Sequence, residues 1–293
     1  WNRANPTLLS KNRLSVSLFQ WQRNDHGRRL TPLALRGGFG DGEEEEVQCV
    51  GTMGTLETVE RQFEGSDDNA VIMQKIQQLK EMYPGGYRRV KGDGNCFLRG
   101  YVFGIFEGLL GKASTEASGF KGILTAYFFL ITDKNKGLGY SVGAIEDFYN
   151  DIQNLVCRIE DGSMTPSMLE DNFNEVTLSN AVIFFCRLVC SCYIQQHPEH
   201  FAPFLGIDTE DEAKLAKEVK QYCLREVEPL DREVDQEQVI ALTSALKTGV
   251  RVQYLDRSPG PLNHHDFPHG EPPSVHLLYR PGHYDLIYPA VGG

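Results

Sequence analysis

The hydrophobic pattern of this chain changes period once, near residue 249, and that change restricts its fold more than any other feature. From about residue 65 to residue 246 apolar residues recur at helical spacing, and beyond it they alternate. Ile72, Ile76, Leu79 and Tyr83 form one stripe of a helix that Asp67 or Asp68 would cap and that Pro84-Gly85-Gly86 ends. A short strand, Tyr87 to Val90, follows. Phe97 to Leu110 is strongly apolar and reads as a buried helix, with Gly100, Gly104 and Gly108 along one side for close packing. Residues 118 to 200 continue in helical fashion, and Asn180 to Tyr193 is their most hydrophobic part. Thr209 and Glu212 fit a capping box for a helix running to about Glu226, and another helix covers Gln236 to Leu246 and stops at Gly249. Then Val250, Val252 and Tyr254 alternate with polar neighbours. Val275 to Tyr279 and His283 to Tyr288 are two further strands, joined by Pro281-Gly282 and expected to pair. Residues 256 to 274, rich in Pro, Gly and His, read as a loop. Helices first and strands last predict an α+β fold, with a small, mostly antiparallel sheet packed between helical regions.

The first 36 positions hold seven of the chain's 29 basic residues but one of its 40 acidic ones, which leaves 22 against 39 in the remainder. An Arg-rich, acid-poor start resembles an organellar transit peptide, and a disordered tail is the blander reading. Gly37, Gly38, Gly40 and Gly42, followed by Glu43 to Glu46, read as a solvated linker. Residues 1–60 are therefore expected to be a disordered extension and acidic linker, 61–289 the folded domain and 290–293 a tail. The net charge of −11 argues against nucleic-acid binding, which needs a basic footprint. No run approaches the 18 or so apolar residues of a membrane span. The seven cysteines are odd in number and scattered over a long chain, the usage of a reduced, intracellular protein rather than of a disulfide scaffold.

One of those cysteines stands apart. Cys96 follows the turn Gly92-Asp93-Gly94-Asn95 and opens the apolar helix. A thiol is a nucleophile as its thiolate, and the positive end of a helix favours that form. Glycines at 92 and 94 let backbone N–H groups point inward, so the amides around Asp93, Gly94 and Cys96 are candidates for an oxyanion hole. Taken alone, a cysteine before an apolar helix is more often simply buried. The second half of the set is His283 and Asp285, two apart on a strand and so on one face. The carboxylate there is placed to accept from one imidazole nitrogen and leave the other for a thiol. Cys96, His283 and Asp285 together read as a thiol-protease set.

The stretch Gly92-Asp93-Gly94-Asn95-Cys96-Phe97 resembles the nucleophile motif of the ovarian-tumour (OTU) deubiquitinases, and the chain is more narrowly similar to the otubains. Asp67-Asp68-Asn69, Glu226-Val227-Glu228-Pro229, Ile240-Ala241-Leu242 and Leu278-Tyr279-Arg280-Pro281-Gly282-His283-Tyr284-Asp285 carry the likeness, which runs from about residue 65 to 288. It implies a papain-like OTU fold and isopeptidase activity on ubiquitin and polyubiquitin chains. In that reading Cys96 is the nucleophile, His283 the base, Asp285 the orienting acid, and Asp93 contributes at the oxyanion site through its backbone. The resemblance implies no metal or cofactor, and it adds ubiquitin-conjugating enzymes as partners that such proteins hold without cleavage. It also implies a preference for proteasome-directing chains, with the helix from Asp67 to Tyr83 contributing a second ubiquitin surface. A ubiquitin-directed activity belongs in cytoplasm or nucleus, against the transit-peptide reading. Leu98 and Gly100 depart from the family pattern, which has Tyr and Ala there.

Other clusters carry less. His264, His265 and His269 with Asp266 suggest zinc only weakly, because loop histidines without a spaced partner set are usually solvated. Cys186, Cys190 and Cys192 read as small core hydrophobes.

Overall fold

A computed structural model describes residues 48–65 and 69–290. The transit-peptide and linker readings of residues 1–47, the helix cap at Asp67 or Asp68 and the end of the tail lie outside the described residues. Helices α1 (Glu57–Glu60) and α2 (Ala70–Met82) lead to strand β1 (Gly86–Arg88). Helices α3 (Cys96–Leu110), α4 (Ser114–Thr132), α5 (Val142–Glu160), α6 (Pro166–Asn174), α7 (Val176–Gln196), α8 (Pro198–Leu205), α9 (Glu212–Tyr222) and α10 (Gln236–Leu246) form the helical body. Strands β2 (Gly249–Tyr254), β3 (Asn263–Phe267), β4 (Pro273–Arg280) and β5 (His283–Tyr288) complete the chain.

The five strands make one sheet in the order β1-β5-β4-β2-β3, antiparallel except where β2 meets β4. Alternation divides its two faces between two cores. Leu277, Tyr279 and Leu286 join Val250 and Val252 against α3 and the helical body. Leu278 and Ile287 turn the other way, onto Ile72, Ile76 and Leu79 of α2. The small sheet therefore lies between helical regions, an α+β arrangement.

α3 lies flat on the sheet because two of its glycines face it. A Cβ on Gly100 would sit 3.3 Å from Leu277, and one on Gly104 would sit 2.7 Å from Val275. Behind α3, helix α7 is the centre of the body. By length and composition it is apolar enough to cross a membrane, which corrects the expectation that no run is. That stretch is 72% buried here, packed on α4, α5, α6 and α10. Cys186, Cys190 and Cys192 are buried in it, and burial pushes the Cys186 and Cys192 thiols up to about 12. All seven cysteines are unpaired.

Four expectations need correction. The folded part begins before residue 61: Cys49 and Val50 are buried, Val50 bridges Val90, and Gly54 bridges Tyr87. The cap of α9 is Asp211, whose carboxylate accepts from Lys214 N–H at 2.9 Å, and the regular helix ends at Tyr222 in a π-helical turn, Cys223–Val227. α10 is stopped by Lys247, which takes the left-handed conformation at φ 51°, while Gly249 already belongs to β2. Residues 263–267, read as loop, form edge strand β3. His264, His265 and Asp266 lie along it, with Asp266 held by the Arg251 guanidinium at 2.7 Å.

Candidate active site

The site is assembled where β5 and the loop leaving β1 pass the start of α3. β5 returns from β4 through Pro281-Gly282, where Gly282 takes φ 79°, a left-handed conformation that glycine adopts without steric cost. Register pairs Arg280 with His283 and Leu278 with Asp285. Period-two geometry then sets His283 and Asp285 on one face. His283 Nε2 lies 2.9 Å from Asp285 Oδ1. The same oxygen accepts the Val90 N–H at 2.9 Å, so the residue that follows β1 is fastened directly to the acid.

From Val90 the chain crosses Lys91 and Gly92 into the turn before Cys96. Gly92 lets the backbone pass under the imidazole, since a Cβ there would stand 3.4 Å from His283 Nδ1. Cys96 opens α3 and is 5% exposed. Its thiol adds to the electrostatics of the His283 ring, and because Nε2 is committed to Asp285, Nδ1 is the nitrogen left to face it. Burial pulls the imidazole's pKa down, but the bonds to Asp285 and Cys96 and their charges outweigh it and hold the value at about 9. For Asp285, which is fully buried, desolvation pushes upward and loses to His283, Arg280 and the Val90 N–H, so its carboxyl sits below the usual range.

The turn is held by a buried polar network that the sequence did not announce. Asp93 turns its carboxylate inward, where both oxygens accept from Arg99 Nη1 at 2.8 Å and Oδ1 also accepts the Asn95 N–H at 3.0 Å. Its side chain is thus a brace, and any part it has at an oxyanion falls to the backbone. The Arg99 and Arg187 side chains are both buried. Arg187 donates to Asn95 Oδ1 at 2.8 Å, and Asn95 Nδ2 donates to Asp231 Oδ1 at 2.7 Å. Gly94 takes φ 80° with its backbone against Asp231, whose carbonyl oxygen would lie 2.5 Å from a Cβ. The Cys96 N–H, in the first turn of α3, has no acceptor within the helix. It can serve an oxyanion, whereas the Asn95 N–H is already taken.

The structure thus brings Cys96, His283 and Asp285 together, with Asp93 and Gly94 in the turn beside them. Sequence reasoning missed Asn95, Arg99, Arg187, Asp231 and Arg280. A signal existed for two of them: an arginine inside a strongly apolar helix must find anionic or carbonyl partners, and Arg99 and Arg187 both sit in such helices. Leu98 is buried and Gly100 lies against Leu277 and Val90, so both positions belong to the core beside the site.

A thiol at a helix start, an imidazole and a buried carboxylate in that chain order define a thiol-peptidase-like site on an α+β fold. The family described as peptidase C65, otubain, matches residues 42–289, and the chain belongs to that family. It is 34% identical over 230 residues to human ubiquitin thioesterase OTUB1, covering 77% of this chain and 78% of that protein. It is 35% identical over 224 residues to mouse ubiquitin thioesterase OTUB2, covering 76% and 89%. Among solved structures, the complex of ceOTUB1 with ubiquitin aldehyde and UBC13~Ub superposes with a TM-score of 0.73 at 29% identity, over 84% of this chain and 95% of that one.

Proposed function

We propose that the protein hydrolyses isopeptide bonds at the ubiquitin C-terminus with Cys96 as nucleophile, His283 as base and acid, and Asp285 as orienting carboxylate. Its class is that of its family, a cysteine-type deubiquitinase. The observation that supports the triad is the His283 Nε2–Asp285 Oδ1 bond at 2.9 Å, with Nδ1 of the same ring against Gly92 in the turn that leads into Cys96. The thiolate attacks the isopeptide carbonyl and forms the C–S bond. Negative charge develops on the carbonyl oxygen, where the Cys96 N–H and its neighbours in the turn stabilise it. The imidazolium passes its proton to the departing lysine amine, and the C–N bond breaks. Neutral His283 then takes a proton from water as its oxygen bonds to the thioester carbon, the C–S bond breaks to return the Cys96 thiolate, and ubiquitin leaves with a free C-terminal carboxylate. This sequence of steps uses no metal.

The test is cleavage of defined di-ubiquitins. Wild type should release ubiquitin and Cys96→Ala should not. A wild type that binds ubiquitin and cleaves nothing would sink the triad reading. The relatives' complexes support a second contact, with ubiquitin-conjugating enzymes. Cys96→Ala should still retain an enzyme–ubiquitin conjugate in pull-down. Chains that direct substrates to the proteasome are the proposed substrates, with α2 and its flanks as the surface for the second ubiquitin. Equal rates across all linkages would reject that preference. A cytoplasmic or nuclear site of action follows from the substrate, and tracking a fusion with and without residues 1–36 tests it.

A further inference from the structure

Asp285 has a partner that its role as an orienting carboxylate does not require. Oδ1 serves His283 and the Val90 N–H, while Oδ2 accepts from Arg280 Nη2. The Arg280 side chain is 17% exposed and Asp285 is fully buried. The guanidinium is held from its far side as well, since Nη1 donates to Gln62 Oε1 at 2.5 Å from the segment after α1.

The catalytic cycle gives this contact a purpose. A fully buried carboxylate is costly unless a positive charge compensates it. His283 provides that charge only as imidazolium, and it must surrender its proton to the leaving amine. At that point Asp285 faces a neutral ring. A guanidinium keeps its charge at every working pH. Building on the triad reading above, we propose that Arg280 is a positioning residue. It supplies the permanent cation that keeps Asp285 ionised and aimed at His283 Nε2 through both states of the imidazole.

The other titratable and charged groups around the pair come from every element packed on it. Cys96 from the start of α3 acts on His283 and Tyr87 from β1 acts on Asp285, while farther out Arg89 faces Tyr87, and Tyr279 of β4 and Tyr284 of β5 face Cys96. Tyr87, pushed up first by burial and then by the Asp285 charge, stays neutral. Arg280 is the fixed cation in direct contact with the carboxylate.

Without Arg280 the Asp285–His283 pair holds its proton more tightly, whichever member carries it. His283 is then a poorer acid toward the leaving amine. The experiment compares wild type, Arg280→Gln and Arg280→Lys in the full chain. It follows the His283 ring by NMR across pH, together with kcat and KM on a di-ubiquitin. Arg280→Gln should move the His283 titration and the alkaline limb of kcat upward by about one unit. It should lower kcat at neutral pH about tenfold with KM within about twofold. Arg280→Lys should return the titration most of the way, and Gln62→Ala should move it slightly in the same direction as Arg280→Gln. An unmoved titration in Arg280→Gln, even with a lower melting temperature, overturns the proposal. If Arg280→Gln does not fold, Gln62→Ala decides: an unmoved titration there overturns it too. The NMR measurement needs no substrate, so a wild type that cleaves no ubiquitin conjugate refutes the proposed function while leaving the Arg280 result readable.

Discussion

At the scale of single residues, the site depends on one imidazole being charged. His283 is held at about 9 against an ordinary value of 6.5, because its bonds to Asp285 and Cys96 outweigh the cost of burial. A folded value above the unfolded one means that folding binds the proton more tightly. The stabilisation is complete below the ordinary value and is lost as pH rises through about 9. In the proposed mechanism catalysis has the same sign, since an imidazolium is needed to protonate the leaving amine. Activity should therefore fall on an alkaline limb near pH 9, and Asp285→Asn should bring that limb down toward the ordinary histidine value with a loss of about a hundredfold or more in kcat. A kcat profile measured against pH for both proteins checks it. An Asp285→Asn limb unchanged from wild type would show that the carboxylate does not set the charge of the ring.

At the scale of elements, α3, which begins at Cys96, the proposed nucleophile, lies close to the sheet. A Cβ on Gly104 would stand 2.7 Å from Val275 Cγ1 and 3.3 Å from Leu286, and a valine has little rotamer freedom with which to yield. Gly104→Ala should cost about 1–3 kcal/mol by overpacking. Gly108, on the same helix, has nothing within 4 Å of its Cβ position. Gly108→Ala should instead stabilise by about 0.5–1 kcal/mol through helix propensity. Denaturant unfolding of the pair distinguishes the two, and equal effects would refute the packing argument. The same elements show what a sequence can reveal. β2, β4 and β5 are buried on both faces and carry apolar runs bounded by turn residues, so they were readable as strands. β3 runs along an edge with Asn263, His264 and His265 exposed, and an edge facing water imposes no alternation. His283 and Asp285 were legible because two strand positions suffice to align them. The brace of the turn was not, because Asn95 meets Asp231 and Arg187 across 136 and 92 positions. Contacts of that range leave no local period.

At the scale of the whole molecule, the active site is tied to a part of the chain that looked dispensable. Residues 49–54 run beside β1 and the residues after it, with Gly51 N–H on Arg89, Lys91 N–H on the Cys49 carbonyl and Gly54 paired to Tyr87. The outer side of this segment is closed by one side chain from α6. Asn174 Oδ1 accepts the Val50 N–H at 3.0 Å and its Nδ2 donates to the Val50 carbonyl at 2.9 Å, as a neighbouring strand would. Val50 in turn bridges Val90, whose N–H holds Asp285. A hydrogen-bonded path thus leads from the helical body through this segment to Asp285, the proposed orienting carboxylate. Asn174→Ala would leave two buried backbone groups without partners, at about 1–3 kcal/mol each. The melting temperature should fall by roughly 4–24 °C in a domain of this size. Amide exchange should quicken first at Val50 and then at Val90, ahead of the sheet centre. kcat should fall more than KM rises, because the loosened group is the acid behind His283 rather than a substrate contact. If Asn174→Ala loses stability while the Val90 amide keeps its protection and kcat is unchanged, the segment is a passive cover and the path to Asp285 does not exist.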